Sequence, residues 1–320
     1  MVEMDIFETI GEFAVKEIFK IKEGALAESA SFFIADTIKV FFLLAIMVFL
    51  VSIIRTFITQ QKIKKLLGGK KEGIGNIIAA LLGIPTPFCS CSAVPIFIGF
   101  IESGIPLGIT FSFLIACPMI NEVAVALLLA MFGWKITAMY IGTGLVIAVL
   151  AGIIIGRMNL EKEVEDFISK KRKENTKERK MNWNKRIEFA KEQTQSIVQK
   201  VWLYIIFGIG IGSIIHGYIP VNFLVDIAGK NSLLAVPIAV MIGIPLYSNA
   251  AGTLPIVQAL IEKGMAMGTA LAFMMSVTAL SFPEMIILRR VLKPKLIGIF
   301  VGILFVAFVL VGILFNAVLG

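Results

Sequence analysis

A chain of 320 residues that is 58% hydrophobic and only 16% charged carries more apolar surface than a soluble core can hide, so lipid must be the solvent for most of it. A formal charge of +8 would point to nucleic acid in a soluble domain, but here the basic residues stand in loops between apolar runs, which is a topology signal. Three cysteines in or beside apolar segments make neither a disulfide framework nor a zinc spacing, and no G-x-x-x-x-G-K-[ST] is present. No cofactor, metal site or nucleic-acid partner is expected.

Residues 1–30 alternate acidic side chains (Glu3, Asp5, Glu8, Glu12) with Ile6, Phe7, Ile10 and Phe13. This pattern reads as an amphipathic interfacial segment with no secretory core. Residues 38–59, 105–131, 136–156 and 296–319 are each long enough to span a bilayer as a helix, which takes about 20 residues. A basic loop occupies residues 60–71, and residues 157–200 hold thirteen Lys and Arg. The solvated linker, residues 161–196, is expected to become helical from Asn182 and run into the span at 197–218. Its basic face suits anionic headgroups.

A shift of 160 residues lays G-I-P-T-P-F-C-S-C-S-A-V-P-I (83–96) on G-I-P-L-Y-S-N-A-A-G-T-L-P-I (243–256). Ten identities fall in the thirty-one positions from Gly83, among them Pro85/Pro245, Pro95/Pro255, Glu102/Glu262, Gly104/Gly264 and Gly108/Gly268. Aligned prolines and glycines are not what chance yields in apolar sequence, so the chain reads as repeat 1 (31–160) and repeat 2 (197–320).

Both basic loops should be cytoplasmic, yet three elements lie between them, so one must return. The segment interrupted between Pro85 and Pro95 has halves about half a bilayer long. The fold expected is therefore all-α and polytopic, with two inverted repeats of three transmembrane helices plus one Pro/Gly-broken re-entrant hairpin; the alternative is eight full spans. The inverted arrangement puts 23 basic residues inside and 7 outside. Inverted repeats with broken helices are how many secondary carriers are built.

The hairpin tips carry Cys89, Ser90, Cys91 and Ser92 in one half and Ser248, Asn249 and Thr253 in the other. Hydroxyls ahead of Pro95 and Pro255 suit helix starts, which would aim partial positive charge at mid-membrane. Cys117, in L-I-A-C-P-M-I-N-E (114–122), is expected beside the first tip, and three converging thiols would suit a soft, thiophilic solute. Asn121, Glu122 and Glu284 are candidates for proton coupling, since intramembrane carboxylates are expensive. Glu284 is two residues out of register with Glu122 and close to Arg289 and Arg290. Glu102 and Glu262 are read as hairpin exits, and His216, Trp134, Trp183 and Trp202 as interface anchors.

At T-P-F-C-S-C-S-A-V-P, the following G-I-P-L-G turn and A-C-P-M-I-N-E, the chain resembles the predicted permeases of the DUF318 type, the family that contains the organoarsenical efflux permease ArsP. The resemblance covers nearly the whole chain. It implies a cell-membrane permease, and its arsenical branch implies export of trivalent organoarsenicals with Cys89, Cys91 and Cys117 as arsenic contacts. A carrier of a sulfur-containing anion, a membrane thiol oxidoreductase using Cys89 and Cys91, and an assembly subunit are the other readings. The partners expected are a small solute, the bilayer and a second copy of the chain.

Overall fold

The computed structural model describes residues 13, 15, 24–57, 73–84, 90–164, 182–218, 234–246, 250–289 and 291–319. Its long elements are all α-helical: α1 (Ala25–Phe57), α2 (Ile74–Gly83), α3 (Ser90–Glu102), α4 (Leu107–Met119), α5 (Glu122–Arg157), α6 (Trp183–Tyr218), α7 (Ala235–Gly243), α8 (Ala250–Glu262), α9 (Met267–Ala279), α10 (Phe282–Arg289) and α11 (Pro294–Leu319). The amphipathic segment 1–30, apart from a few residues, and the linker from 165 to 181 lie outside the described residues.

Bounds recur at the shift of 160: α3 on α8, α4 on α9 and the start of α5 on the start of α10. Glu102 and Glu262 end their helices, and Gly104 and Gly264 then take φ of 78° and 96°. That left-handed turn lets Ile105 N–H reach Phe100 O at 3.1 Å and Met265 N–H reach Leu260 O at 2.9 Å, which closes the last turn as glycine allows. Inside α5, Gly133 turns out of the helix at φ 77° and ψ 175°, so the arm at 134–157 matches α11.

Packing repeats too. In each half the third short helix is central: α4 meets α2, α3 and α5, as α9 meets α7, α8 and α11. Between halves, α1 packs on α6, α4 on α9 and α5 on α11, while α3 meets α10 and α8 meets α5.

Glycine makes the closest crossings possible. A Cβ on Gly108 would strike Gly152 O and one on Gly268 would strike Gly312 O, so each crossing brings backbone onto backbone, the small-residue packing of membrane helices. An asparagine bonds to the third short helix beside each one. Asn76 donates to Ser112 Oγ at 2.9 Å and accepts from Gly73 N at 3.1 Å; Asn316 donates to Thr269 Oγ1 at 3.0 Å and accepts from Thr269 N at 3.1 Å. The two asparagines are not repeat partners: Val236 stands where Asn76 does, and Gly156 where Asn316 does.

Outside, Val146, Leu150 and Ile154 are exposed along α5 while Ile147, Ala151 and Ile155 on the next face are buried. α11 repeats this, with Val306, Leu310 and Leu314 out and Leu304, Phe308 and Phe315 in. A helix apolar on both faces is a membrane helix or a deeply buried one. Glu122–Arg157 and Pro294–Leu319 have the length and composition to cross a bilayer.

Two expectations are corrected. Residues 105–131 are not one continuous span: the helix stops at Met119 and restarts at Glu122, as its counterpart stops at Ala279 and restarts at Phe282. Pro95 and Pro255 do not open their helices either. Each stands at the sixth position, inside Ser90–Glu102 and Ala250–Glu262, where it supplies no N–H to the carbonyl four residues earlier.

Candidate functional site

One polar place in the molecule lies at helix ends. A cavity of about 380 Å³ is lined by Asn76, Pro106 to Ile109, Gly156, Arg157, Asn159 and Glu161. The start of α2, the start of α4 and the end of α5 therefore share one side of the structure.

Beyond this cavity, residues 160–164 leave α5 and dock on the second half. Lys293 N–H bonds Glu163 O at 2.8 Å, Lys293 Nζ bonds Lys162 O at 2.9 Å, and Lys295 Nζ lies 3.6 Å from Glu163 Oε1. Thus α11 begins where α5 ends and packs back along it, and Arg157, Lys162, Lys293 and Lys295 gather at one end.

A second polar place among the described residues lies where α4 ends. Gly83, at the end of α2, sits so close to α4 that a Cβ there would be 3.1 Å from Cys117 N and 3.2 Å from Phe113 O. The end of α2 is thus level with Cys117, which is fully buried. Gly243 makes the same approach to Phe273 O and the Ser276 side chain. Three residues past Cys117 comes the unanticipated break.

Both breaks have one backbone. Ile120 N bonds Ala116 O at 2.9 Å and Val125 N bonds Asn121 O at 3.0 Å; Leu280 N bonds Ser276 O at 3.0 Å and Met285 N bonds Ser281 O at 3.2 Å. Ile120 and Leu280 stop their helices at φ/ψ of −117°/58° and −135°/49°.

Side chains complete the first break. Asn121 Oδ1 accepts from Ala124 N at 2.7 Å, capping α5, and Asn121 Nδ2 donates to Pro118 O at 3.2 Å. Tyr140, fully buried, donates to Met119 O at 3.1 Å and is hydrogen-bonded to the Thr278 side chain at the end of α9. The two breaks are neighbours through this tyrosine. Phe111 links the halves as well, with its ring centroid 5.2 Å from Phe97 and 5.3 Å from Phe300.

Of the residues picked from sequence, the structure brings Cys117 against the end of α2 and buries Thr253 and Glu284, each 1% exposed. Asn121 is the cap of α5 and not a titrating group. Glu122 is exposed, and strict register puts Phe282, not Glu284, in its place. Glu284 matches buried Ala124 instead. Arg289 is exposed and donates to Leu292 O at 3.5 Å. Pro245 is exposed just past α7, and Pro255 is exposed on α8. Cys89, Ser248, Asn249, Pro85 and Arg290 lie outside the described residues, as do the side chains of Ser90, Cys91, Ser92, Pro95 and His216. Trp134, Trp183 and Trp202 are all exposed. Among the described residues, no group of three His, Cys, Asp or Glu could hold a metal.

Sequence reading missed Tyr140, whose hydroxyl completes the first break, and Ser281, which is buried in the second. The available signals were Asn121 at a cap position and the S-x-x-E spacing of Ser281 and Glu284.

Two duplicated sets of short and long apolar helices, broken at matching places, suit a helical membrane protein. The chain belongs to the ArsP_1 predicted permease family, whose model matches residues 25–317. It is similar to a UPF0718 protein of Methanocaldococcus jannaschii (22% identical, covering 75% of this chain and 81% of the relative). It is also similar to the UPF0718 protein YraQ of Escherichia coli (23%, covering 83% and 74%). A third relative, from Streptococcus mutans, is named "putative two-component membrane permease complex subunit" (22%, covering 89% and 94%). No solved structure matches.

Proposed function

We propose that the chain is a multi-pass secondary carrier of the cell membrane, made of two halves inserted in opposite senses, with its solute site at mid-depth. The observation that carries this reading is the pair of equivalent helix breaks, 116–125 and 276–285, which meet at Tyr140 level with a hairpin tip. Irregular backbone at that depth is tolerated only where it is buried or lines a wet path. Return of the chain to the side it left, after α2 and α3, supports a re-entrant hairpin. The start of α11 at the end of α5 supports opposite insertion. The four cations gathered there mark the cytoplasmic face, and with it the linker 161–196 between repeats 31–160 and 197–320.

The solute we propose is small and soft, a trivalent organoarsenical exported from the cell. Cys117 stands at the first tip, and Cys89 and Cys91 are its neighbours in that tip's sequence. Ser90, Ser92, Ser248, Asn249 and Thr253 would supply the polar lining. A sulfur-containing anion is the second reading, favoured by the helix starts at Ser90 and Ala250, whose free N–H groups attract negative charge. Glu284, the buried carboxylate, is the group to couple flux to an ion gradient. The Streptococcus relative's name makes a partner subunit in the same membrane part of this proposal.

The test is flux of trivalent methylarsenite in sealed vesicles under an imposed ion gradient, comparing the parent with Cys89→Ser, Cys91→Ser and Cys117→Ser. Gradient-driven flux that falls at least about tenfold in the serine variants, the loss of about 1.4 kcal/mol of recognition, is the expected result. Flux unchanged in all three would transfer the assignment to the sulfur-containing anion. Absence of flux for both solute classes in correctly inserted protein would end the carrier reading.

A further inference from the structure

Residue for residue, the turn between α10 and α11 matches the turn that Gly133 makes inside α5: Leu292 and Lys293 stand where Phe132 and Gly133 do. The two turns are covered differently. Gly133 and Trp134 are exposed, and a Cβ on Gly133 would meet nothing within 4 Å. Val291 and Leu292 are buried, with residues 160–164 of the other half docked beside them.

The route to that dock is set at Asn159. Among the described residues it is the one non-glycine with positive φ, at 52° with ψ 46°, the left-handed conformation that asparagine tolerates better than most side chains. It turns the chain out of α5 into a short 3-10 turn, Leu160–Glu163. Leu160 and Val164 are buried while Glu161 and Lys162 are exposed, and Val164 pairs with Leu292 across an antiparallel bridge. Lys293 is the pivot. Its N–H bonds Glu163 O at 2.8 Å, and its own carbonyl accepts from Leu296 N at 3.0 Å and Ile297 N at 3.3 Å, which opens α11.

The long helices α5 and α11 belong to different halves and pack along each other, so this segment ties the end of one to the start of the other. It also meets the end of α10, the helix that leads back to the break at 276–285. Parting the halves at this end requires the segment to leave its seat. Two apolar side chains, one bridge and two lysine hydrogen bonds hold it, and contacts this sparse open locally before a core does.

We propose that residues 159–164 are a strap that locks the two halves together at the end where Arg157, Lys162, Lys293 and Lys295 gather, and that its undocking opens this side of the molecule as far as Cys117. This deepens the carrier reading and rests on it, but it is read through reagent access to a thiol, without any solute.

Cys117, native and fully buried, is the reporter. Membrane vesicles that present the strap end outward are treated with a charged, membrane-impermeant maleimide, and modification of Cys117 in the full chain is followed by site-resolved mass spectrometry. Asn159→Ile, whose branched side chain resists the left-handed turn, should react at least about tenfold faster than the parent, a shift of about 1.4 kcal/mol toward the undocked strap. Asn159→Gly, free to make the turn, should react like the parent. The opposite arm locks the strap. Val164→Cys combined with Leu292→Cys puts thiols at paired antiparallel positions, whose Cα atoms are about 4.5–5.5 Å apart, within the reach of a disulfide. Oxidation of that pair should slow the reaction of Cys117 at least about tenfold, reductant should restore it, and the parent taken through the same oxidation should be unchanged. A Cys117 rate indifferent to both the disulfide and Asn159→Ile would overturn the proposal. So would a Cys117 that stays unreactive in every variant, since release of the strap would then open nothing. Strap-dependent reaction of Cys117 in protein that moves no solute would count against the carrier and leave the strap standing.

Discussion

Residues 116–125 and 276–285 follow one path through the protein and are finished by different chemistry. Backbone bonds at the two breaks agree within 0.2 Å, 2.9 and 3.0 Å against 3.0 and 3.2 Å, yet the first is capped by an asparagine and a tyrosine and the second by neither. Duplication copied what the backbone needs: glycines at the crossings and a stop after the third short helix. The side chains that satisfy a break are free to diverge as long as each half remains packed. Divergence leaves the first break capped by its own side chains and puts a buried carboxyl group in the second.

The comparison breaks most violently where the halves are most alike. Gly108→Leu and Gly268→Leu each push a side chain into the carbonyl of the facing glycine, and each should cost about 3 kcal/mol or more, read as lost monodisperse protein on size exclusion and a lowered midpoint. Tolerance of one but not the other would mean that the crossings are not equivalent. Tyr140→Phe makes the first break resemble the second. Removing the donor to Met119 O should cost about 1–3 kcal/mol, measured by thermal unfolding, and a neutral outcome would show that the break does not depend on its tyrosine.

Smaller effects sharpen the picture. Asn76→Ala and Asn316→Ala each remove an interhelical hydrogen bond beside one half's crossing, for about 0.6–1.7 kcal/mol apiece. Because they stand in different halves, the double variant should show the sum of the two losses. A marked departure from additivity would reveal coupling between the crossings. Lys295→Gln removes an exposed ion pair to Glu163, with the lysine side chain 68% exposed, and should change stability by less than about 1 kcal/mol. The docking of residues 160–164 then rests on the Lys293 backbone bond.

Much of this was readable in advance. Aligned prolines, the Glu-Ser-Gly and Glu-Lys-Gly helix exits and the long apolar runs exposed the repeat and most element ends, because glycine and proline act locally. The breaks at Ile120 and Leu280 were hidden inside apolar runs. Hydropathy reports that residues 105–131 belong in lipid and says nothing about where the backbone stops being helical. Pro118 and Asn121 were visible, but the cap was not read from them; Glu122 and Glu284 were named together, and of the two only Glu284 is buried.

The sequence alone determined a duplicated, all-helical membrane protein of the predicted permease kind, since apolar length, glycine and proline are properties of short segments. Which carbonyls at the helix breaks are satisfied was decided only by the tertiary structure. Tyr140 reaches Met119 from 21 residues away and Thr278 from the other half of the chain, contacts that exist only once α4, α5 and α9 have packed.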